Sequence, residues 1–296
     1  MSLPQPIFVV ALPKSYTSVF SGMLGQHPNL MTTPELNIFV GDTIQQWADQ
    51  PSANIFCDGL IRTVAQLFFG AQTPQTVQQA LDWLQSRASW SVQQLMDALR
   101  EAAAPAALID QSPIYMQKPA FLQRILTNYP DARFIHLTRN PVSWVRSMEK
   151  WGIYGEEIMR MFAASEVGLT HQPAPLDLWH AAYTGIDRLM EGLRPEQHIK
   201  IYGEDVVTRP KEAMKQVLDW LDLPAEEAHL EAMMHPEESI FAGWGPMGAR
   251  GGNNPDFLTA PQLRTRDDRD DLMTLNPAGV PQEVVELAVQ LGYQAA

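Results

Sequence analysis

Lys14 is the first residue whose setting suggests chemistry. It lies in the run Pro13-Lys14-Ser15-Tyr16-Thr17-Ser18. An apolar stretch, 7–12, precedes this run, and an amphipathic one with Val19, Phe20, Met23 and Leu24 on one face follows it. Such an order reads as strand, tight polar turn, helix. A helix start offers free N–H groups and partial positive charge, which together bind anions. Lys14 adds a full positive charge, while Ser15, Thr17 and Ser18 add hydroxyl donors. The turn lacks the glycines of G-x-x-x-x-G-K-[ST], so it is not a Walker A loop. Taken by itself it is equally an ordinary strand–turn–helix with a surface lysine.

A second block supplies the support. Residues 134–138 read as a strand, and Pro141 suits the first turn of a helix. Arg139 then stands at the strand's carboxyl end and Ser147 two turns down the helix. Arginine is the side chain best suited to bidentate phosphate recognition, and this edge of an open α/β sheet is where ligands bind. Glu35, in Pro34-Glu35-Leu36-Asn37, comes off the far end of the first strand–helix unit, beside the same edge. A carboxylate there serves no purpose in anion binding alone. It is either a solvated turn residue or part of the chemistry.

The bulk properties narrow the function. The chain has 296 residues, 45% of them hydrophobic, with a formal net charge of −13. That balance argues against nucleic acid and against anionic membrane surfaces, but a local nest of donors still accommodates a small anion. With Cys57 as the one cysteine, no internal disulfide is possible and no Cys/His metal spacing exists. No metal site is expected. No signal peptide and no span near the ~20 apolar residues of a membrane helix is apparent, so the cytoplasm is the expected compartment.

The elements that must position these residues form an α/β class: a central parallel sheet with flanking helices, and a P-loop-like nucleotide-binding core. One domain, 1–296, is expected. Further strands are read at 106–109 and 198–202. Residues 38–107 read as a helical insert. Its stripes are Leu60, Ile61, Val64, Leu67 and Phe68; Val77, Ala80, Leu81 and Leu84; and Val92, Leu95, Met96 and Leu99. Pro51, Gly70, Pro74 and Pro105 punctuate it. Its expected role is packing, or a lid over the sheet edge. Trp47, Phe56, Phe68, Phe69, Trp83 and Trp90 are expected mainly in the core, with one or two facing a substrate. Residues 235–281, rich in Pro, Gly and charge, read as a long functional loop. Within it, 264–271 reads as a self-neutralising, solvated charged face.

The two blocks together resemble the sulfotransferases that use 3′-phosphoadenosine 5′-phosphosulfate (PAPS). In that family a Pro, a Lys or Arg, a Ser, a Gly and two Ser/Thr residues follow the first strand and hold the 5′-phosphosulfate. An arginine, with a serine eight residues on, holds the 3′-phosphate. Here these are residues 13–18, and Arg139 with Ser147. Pro34-Glu35-Leu36-Asn37 and Ile109-Asp110-Gln111-Ser112-Pro113-Ile114-Tyr115 resemble bacterial members, especially sulfotransferase domains of cyanobacterial polyketide assembly lines. Those domains sulfonate a hydroxyl on a carrier-bound acyl chain. The resemblance implies that Tyr202 touches the adenine and that Arg250, Gly251 and Gly252 close on the 3′-phosphate. It implies PAPS as co-substrate, no metal, and a small-molecule or carrier-bound hydroxyl acceptor, with an acyl carrier protein as partner. Glu35 is the choice of general base, and Lys14 of charge stabiliser. Three departures stand out. Tyr16 replaces the family's glycine. Gln111 stands where many relatives have lysine. No histidine occurs in 251–263. An ATP-dependent small-molecule kinase and a non-catalytic nucleotide-binding protein are the alternatives.

Overall fold

A computed structural model describes residues 3–50, 57–163 and 174–296. Pro51 and Phe56 lie outside these. Five parallel strands make the central sheet in the order β2-β3-β1-β4-β5. They are β1 (Ile7–Val10), β2 (Leu30–Thr32), β3 (Ala107–Asp110), β4 (Arg133–Thr138) and β5 (His198–Tyr202). The chain steps from β1 to one side, through β2 and β3, then crosses to β4 and β5. Strand β1 is therefore the switch point, with β3 and β4 as its neighbours. Ligands of open α/β sheets bind at the carboxyl end of such a strand.

Alternation along β1 explains its central place. Phe8 and Val10 enter the core on one face, Ile7 and Val9 the core on the other. A strand buried on both faces must be apolar throughout. Helix α1 (Thr17–Leu24) presses Phe20, Met23 and Leu24 onto the second face beside Met214, Val217 and Leu218 of the Pro210–Trp220 helix. The first face carries the larger core, including Trp144, Trp179 and Tyr183, all buried. Strand β2 was not legible beforehand: three residues are too few to show a period, and its pairing with β3 defines it.

The insert is helical: Ile44–Ala48, Asp58–Phe69, Pro74–Gln85 and Val92–Ala103. Ser91 caps the last of these, its hydroxyl accepting from Gln94 N–H at 3.1 Å. Three of the insert's aromatic residues pack on one another. Phe68 stacks on Trp83 at 4.7 Å, and Trp83 meets Trp90 edge-on at 5.6 Å. No helix among the described residues is long and apolar enough to cross a membrane.

The chain's end is built into the sheet's carboxyl edge. After the Gln282–Leu291 helix, Gly292 takes φ 104°, and a Cβ there would lie 2.1 Å from the Tyr202 hydroxyl. Glycine is needed on both counts. Tyr293 then turns inward, its hydroxyl 3.0 Å from both Glu204 Oε2 and Thr138 Oγ1. Tyr293→Phe strands a buried carboxylate oxygen. It is expected to cost about 1–3 kcal/mol, read as a lower urea midpoint with an unchanged slope.

Candidate active site

The Lys14 turn leaves β1 in an unusual backbone. Lys14 has φ 64° and Tyr16 φ 66°, both left-handed. Side chains other than glycine adopt this region at a cost, and it persists where the surroundings over-determine it. Here they do. The indole N–H of Trp144 donates to Pro13 O at 2.8 Å, and the Arg139 guanidinium donates to Lys14 O. Ser15, buried, is 3.3 Å from the Tyr183 hydroxyl. No side chain caps the start of α1.

The end of β4 is fixed with equal care. Trp179 donates its indole N–H to Arg139 O at 2.9 Å. The buried Glu204 accepts from Asn140 N–H at 2.8 Å. Asn140 Oδ1 in turn accepts from Val142 and Ser143 N–H, capping the Pro141–Lys150 helix. Arg139 Nε donates to Ser143 Oγ at 3.1 Å. Ser147 lies one turn further on.

Lys14, Tyr16, Thr17, Ser18, Arg139 and Ser147 all line one cavity of about 420 Å³. The turn and the arginine–serine helix thus face the same space. Two further cations line it, Arg264 and Arg266. A second cavity of about 380 Å³ meets the first at Lys14, Thr17, Ser18 and Asn254. Its walls are mostly apolar: Trp151, Tyr154, Ile158 and Met161 from one side, Ile114 and Trp244 from others. Glu35 opens onto it.

Glu35 keeps part of its surface on this second cavity. The packing around the rest of the side chain, with Asp110 close by, pushes its carboxyl up to about 8. Asp110 is itself buried and raised to about 6, although Ser112, Tyr115 and the Leu36 N–H donate to it. Glu35 N–H donates to Gly252 O at 2.8 Å, which ties the carboxylate's segment to the late loop. The loop has its own anchors. Gly251 N–H donates to Asp58 Oδ2 at 2.7 Å, and Arg62 donates to Gly251 O at 3.0 Å. Gln111 donates to Asn253, and Asn254 N–H to Ser18 Oγ at 3.1 Å. Lys14 Nζ lies 2.5 Å from Asp256 Oδ2 and 4.7 Å from the centre of the Trp151 ring.

A profile of the Sulfotransferase family matches residues 6–227, well over half of the chain. The chain belongs to the sulfotransferase family. Among solved structures, it is similar to a sulfotransferase domain from the curacin biosynthetic pathway, at 24% identity and TM-score 0.78, with 100% of both chains covered. The sulfotransferase domain of the Synechococcus PCC 7002 olefin synthase gives 20% identity and TM-score 0.75, over 99% of this chain and 98% of that one. Sulfotransferase STF9 from Mycobacterium avium gives 14% and 0.51, over 100% and 79%. At these identities the likeness speaks for the fold: a parallel sheet flanked by helices. No curated protein sequence matches. Nothing in these matches favours a kinase.

In this sulfotransferase several expected site residues sit elsewhere. Tyr202 does not line the first cavity. Its hydroxyl donates to Leu291 O at 3.0 Å and its ring meets Tyr293, because the C-terminal helix occupies the space beside β5. Arg250 lies 5.6 Å from the centre of the Trp244 ring, and Gly251 and Gly252 line the second cavity rather than the first. Arg264 and Arg266, which the sequence placed on a solvated face, line the first. Among the described residues the 38–107 insert lines neither cavity; through Asp58 and Arg62 it anchors the loop that does. The apolar wall instead comes from Trp151 and the Ile153–Ala163 helix. The amphipathic pattern of that helix could have found it. Among the described residues no cluster of three His, Cys, Asp or Glu side chains is arranged to hold a metal ion.

Glu35 has a consequence for folding. Its carboxyl is protonated in the folded protein at pH values where the unfolded chain has already ionised. It therefore favours folding least above about 8. Glu35→Gln is expected to unfold much like the parent near pH 5 and to become progressively more stable than it toward pH 8. Urea titrations at both pH values check this.

Proposed function

We propose that this sulfotransferase moves a sulfuryl group from PAPS, bound in the first cavity, to a hydroxyl of an acceptor bound in the second. One observation carries the reading: Lys14 belongs to both cavities, with cationic groups on one side of it and Glu35 on the other. The residues fit a nucleotide anionic at two places. The Lys14 turn and the α1 start offer donors for the 5′-phosphosulfate. Arg139, Ser147, Arg264 and Arg266 offer them for the 3′-phosphate, a role the geometry favours for these arginines over Arg250. No metal is needed in this scheme.

The chemistry is an in-line displacement at sulfur. The acceptor oxygen forms a bond to sulfur as the bond to the bridging phosphate oxygen breaks. That oxygen keeps the electron pair, and adenosine 3′,5′-bisphosphate departs. Glu35, ionised, takes the hydroxyl proton. Lys14 and the turn N–H groups hold the charge that grows on the bridging oxygen. Asp256 must give up Lys14 for this. The apolar second cavity suits an uncharged acceptor. A carrier-bound acyl chain, delivered by an acyl carrier protein, fits it and accords with the polyketide-type resemblance of residues 34–37 and 109–115. The curacin and olefin synthase domains point the same way.

A mass-spectrometric acceptor screen for sulfonate adducts tests the function itself; no adduct on any hydroxyl acceptor, with the bisphosphate still bound, would make the chain a binding protein. Lys14→Ala is expected to lower kcat on the order of 10²–10³-fold; a change of only a few-fold removes Lys14 from catalysis. For the parent, kcat is expected to climb with pH and level off above about 8, where Glu35 is ionised. Glu35→Gln should bind the bisphosphate normally yet lose transfer and this pH dependence. In calorimetric titrations Arg264→Ala and Arg266→Ala should each weaken bisphosphate binding about tenfold, with Arg250→Ala close to the parent.

A further inference from the structure

We propose that Tyr16 is a positioning residue for the donor cavity: its ring holds the Arg139 guanidinium in the orientation that faces the nucleotide. The inference rests on the donor reading of that cavity.

Tyr16 is an improbable choice for its backbone. At φ 66° a glycine would be free of steric cost, and a bulky aromatic residue is not. A polar αL residue such as Asn would also be tolerated. Neither would place a ring where this one lies. The Arg139 guanidinium carbon sits 4.4 Å from the centre of the Tyr16 ring, within range of a cation–π contact. The same guanidinium donates to Lys14 O, and its Nε to Ser143 Oγ. Arg139 is thus held by the turn's backbone, by its own helix and by the ring.

The neighbouring chain makes room for this ring. A Cβ at Gly203 would come 2.5 Å from Tyr16 Cδ2 and 2.7 Å from Thr138 O. Gly203 has no positive φ at the start of Gly203–Thr208, so conformation does not call for glycine there; the Tyr16 ring and the Thr138 carbonyl together do. The phenol is surrounded by Arg139, Glu204, Arg266 and Asp268, and burial raises its pKa, so it stays neutral. A simple filler does not need a left-handed backbone. The cation supplies the reason: the ring is where it must be to lie against Arg139.

The test is calorimetric titration of adenosine 3′,5′-bisphosphate into the parent, Tyr16→Phe, Tyr16→Gly, Arg139→Ala and the Tyr16→Gly/Arg139→Ala double variant. Tyr16→Asn replaces Tyr16→Gly if the latter does not fold. Tyr16→Phe, which keeps the ring, should bind as the parent does. Tyr16→Gly should bind about tenfold more weakly. The double variant should be no weaker than Arg139→Ala alone, because the ring acts through the arginine. Tyr16→Gly binding like the parent, or losses that multiply in the double variant, overturns the proposal while leaving the donor reading intact. A parent that binds no bisphosphate sinks the donor reading and this inference with it.

Discussion

The structure depends on one strained turn being held shut. Residues 13–18 leave the central strand with two non-glycine residues in left-handed backbone. Nothing local favours that shape. It is held from across the sheet edge by Trp144 on Pro13 O and Arg139 on Lys14 O. Both come from the next parallel strand and its helix. The turn therefore takes this shape only when β4 is in register beside β1. In this way β1–β4 pairing, a long-range event, sets the geometry of six consecutive residues.

Charge around the turn is arranged in layers. Arg139, Arg264 and Arg266 line the first cavity of a chain with net charge −13. Behind them sits buried Glu204, which accepts from Asn140 N–H and from Tyr293 and so fixes the strand end that carries Arg139. Beneath the second cavity lies buried Asp110, satisfied by Ser112, Tyr115 and Leu36. The global charge therefore says little about the ligand. What matters is that Glu204 and Asp110 are taken up by backbone and hydroxyl donors, whereas Arg139, Arg264 and Arg266 line the cavity. Glu35 differs from these two: it reaches the wall of the second cavity, and burial together with the neighbouring Asp110 raises its pKa.

Much of this was legible in the sequence, for physical reasons that also explain the rest. The runs of β1 and β4 are buried on both faces or nearly so, and such runs are visible without a partner. Lys14, Arg139 and Ser147 were placed by strand ends, and topology brings strand ends of a parallel sheet together. Tyr202 also lies at a strand end, but at the sheet's edge, where the C-terminal helix claims its hydroxyl. Arg264 and Arg266 follow no strand. They reach the cavity because the late loop is stapled to Asp58, Ser18 and Gln111. Each staple pairs residues far apart in the chain, and no local pattern reveals them. The insert's tryptophans drew attention by composition, yet Trp83 and Trp90 pack on each other and Trp47 is buried in the core, while Trp151 and Trp244 stood in stretches without a motif.

The late loop also settles how the two cavities relate. Asn254 lines both of them, beside Gly252, which accepts from the Glu35 N–H, and Asp256, which pairs with Lys14. A single segment of chain thus touches the base and the charge stabiliser of the proposed reaction. In the proposed reaction the donor competes with Asp256 for Lys14, and the segment that pairs with Lys14 at the first cavity also carries part of the wall of the second.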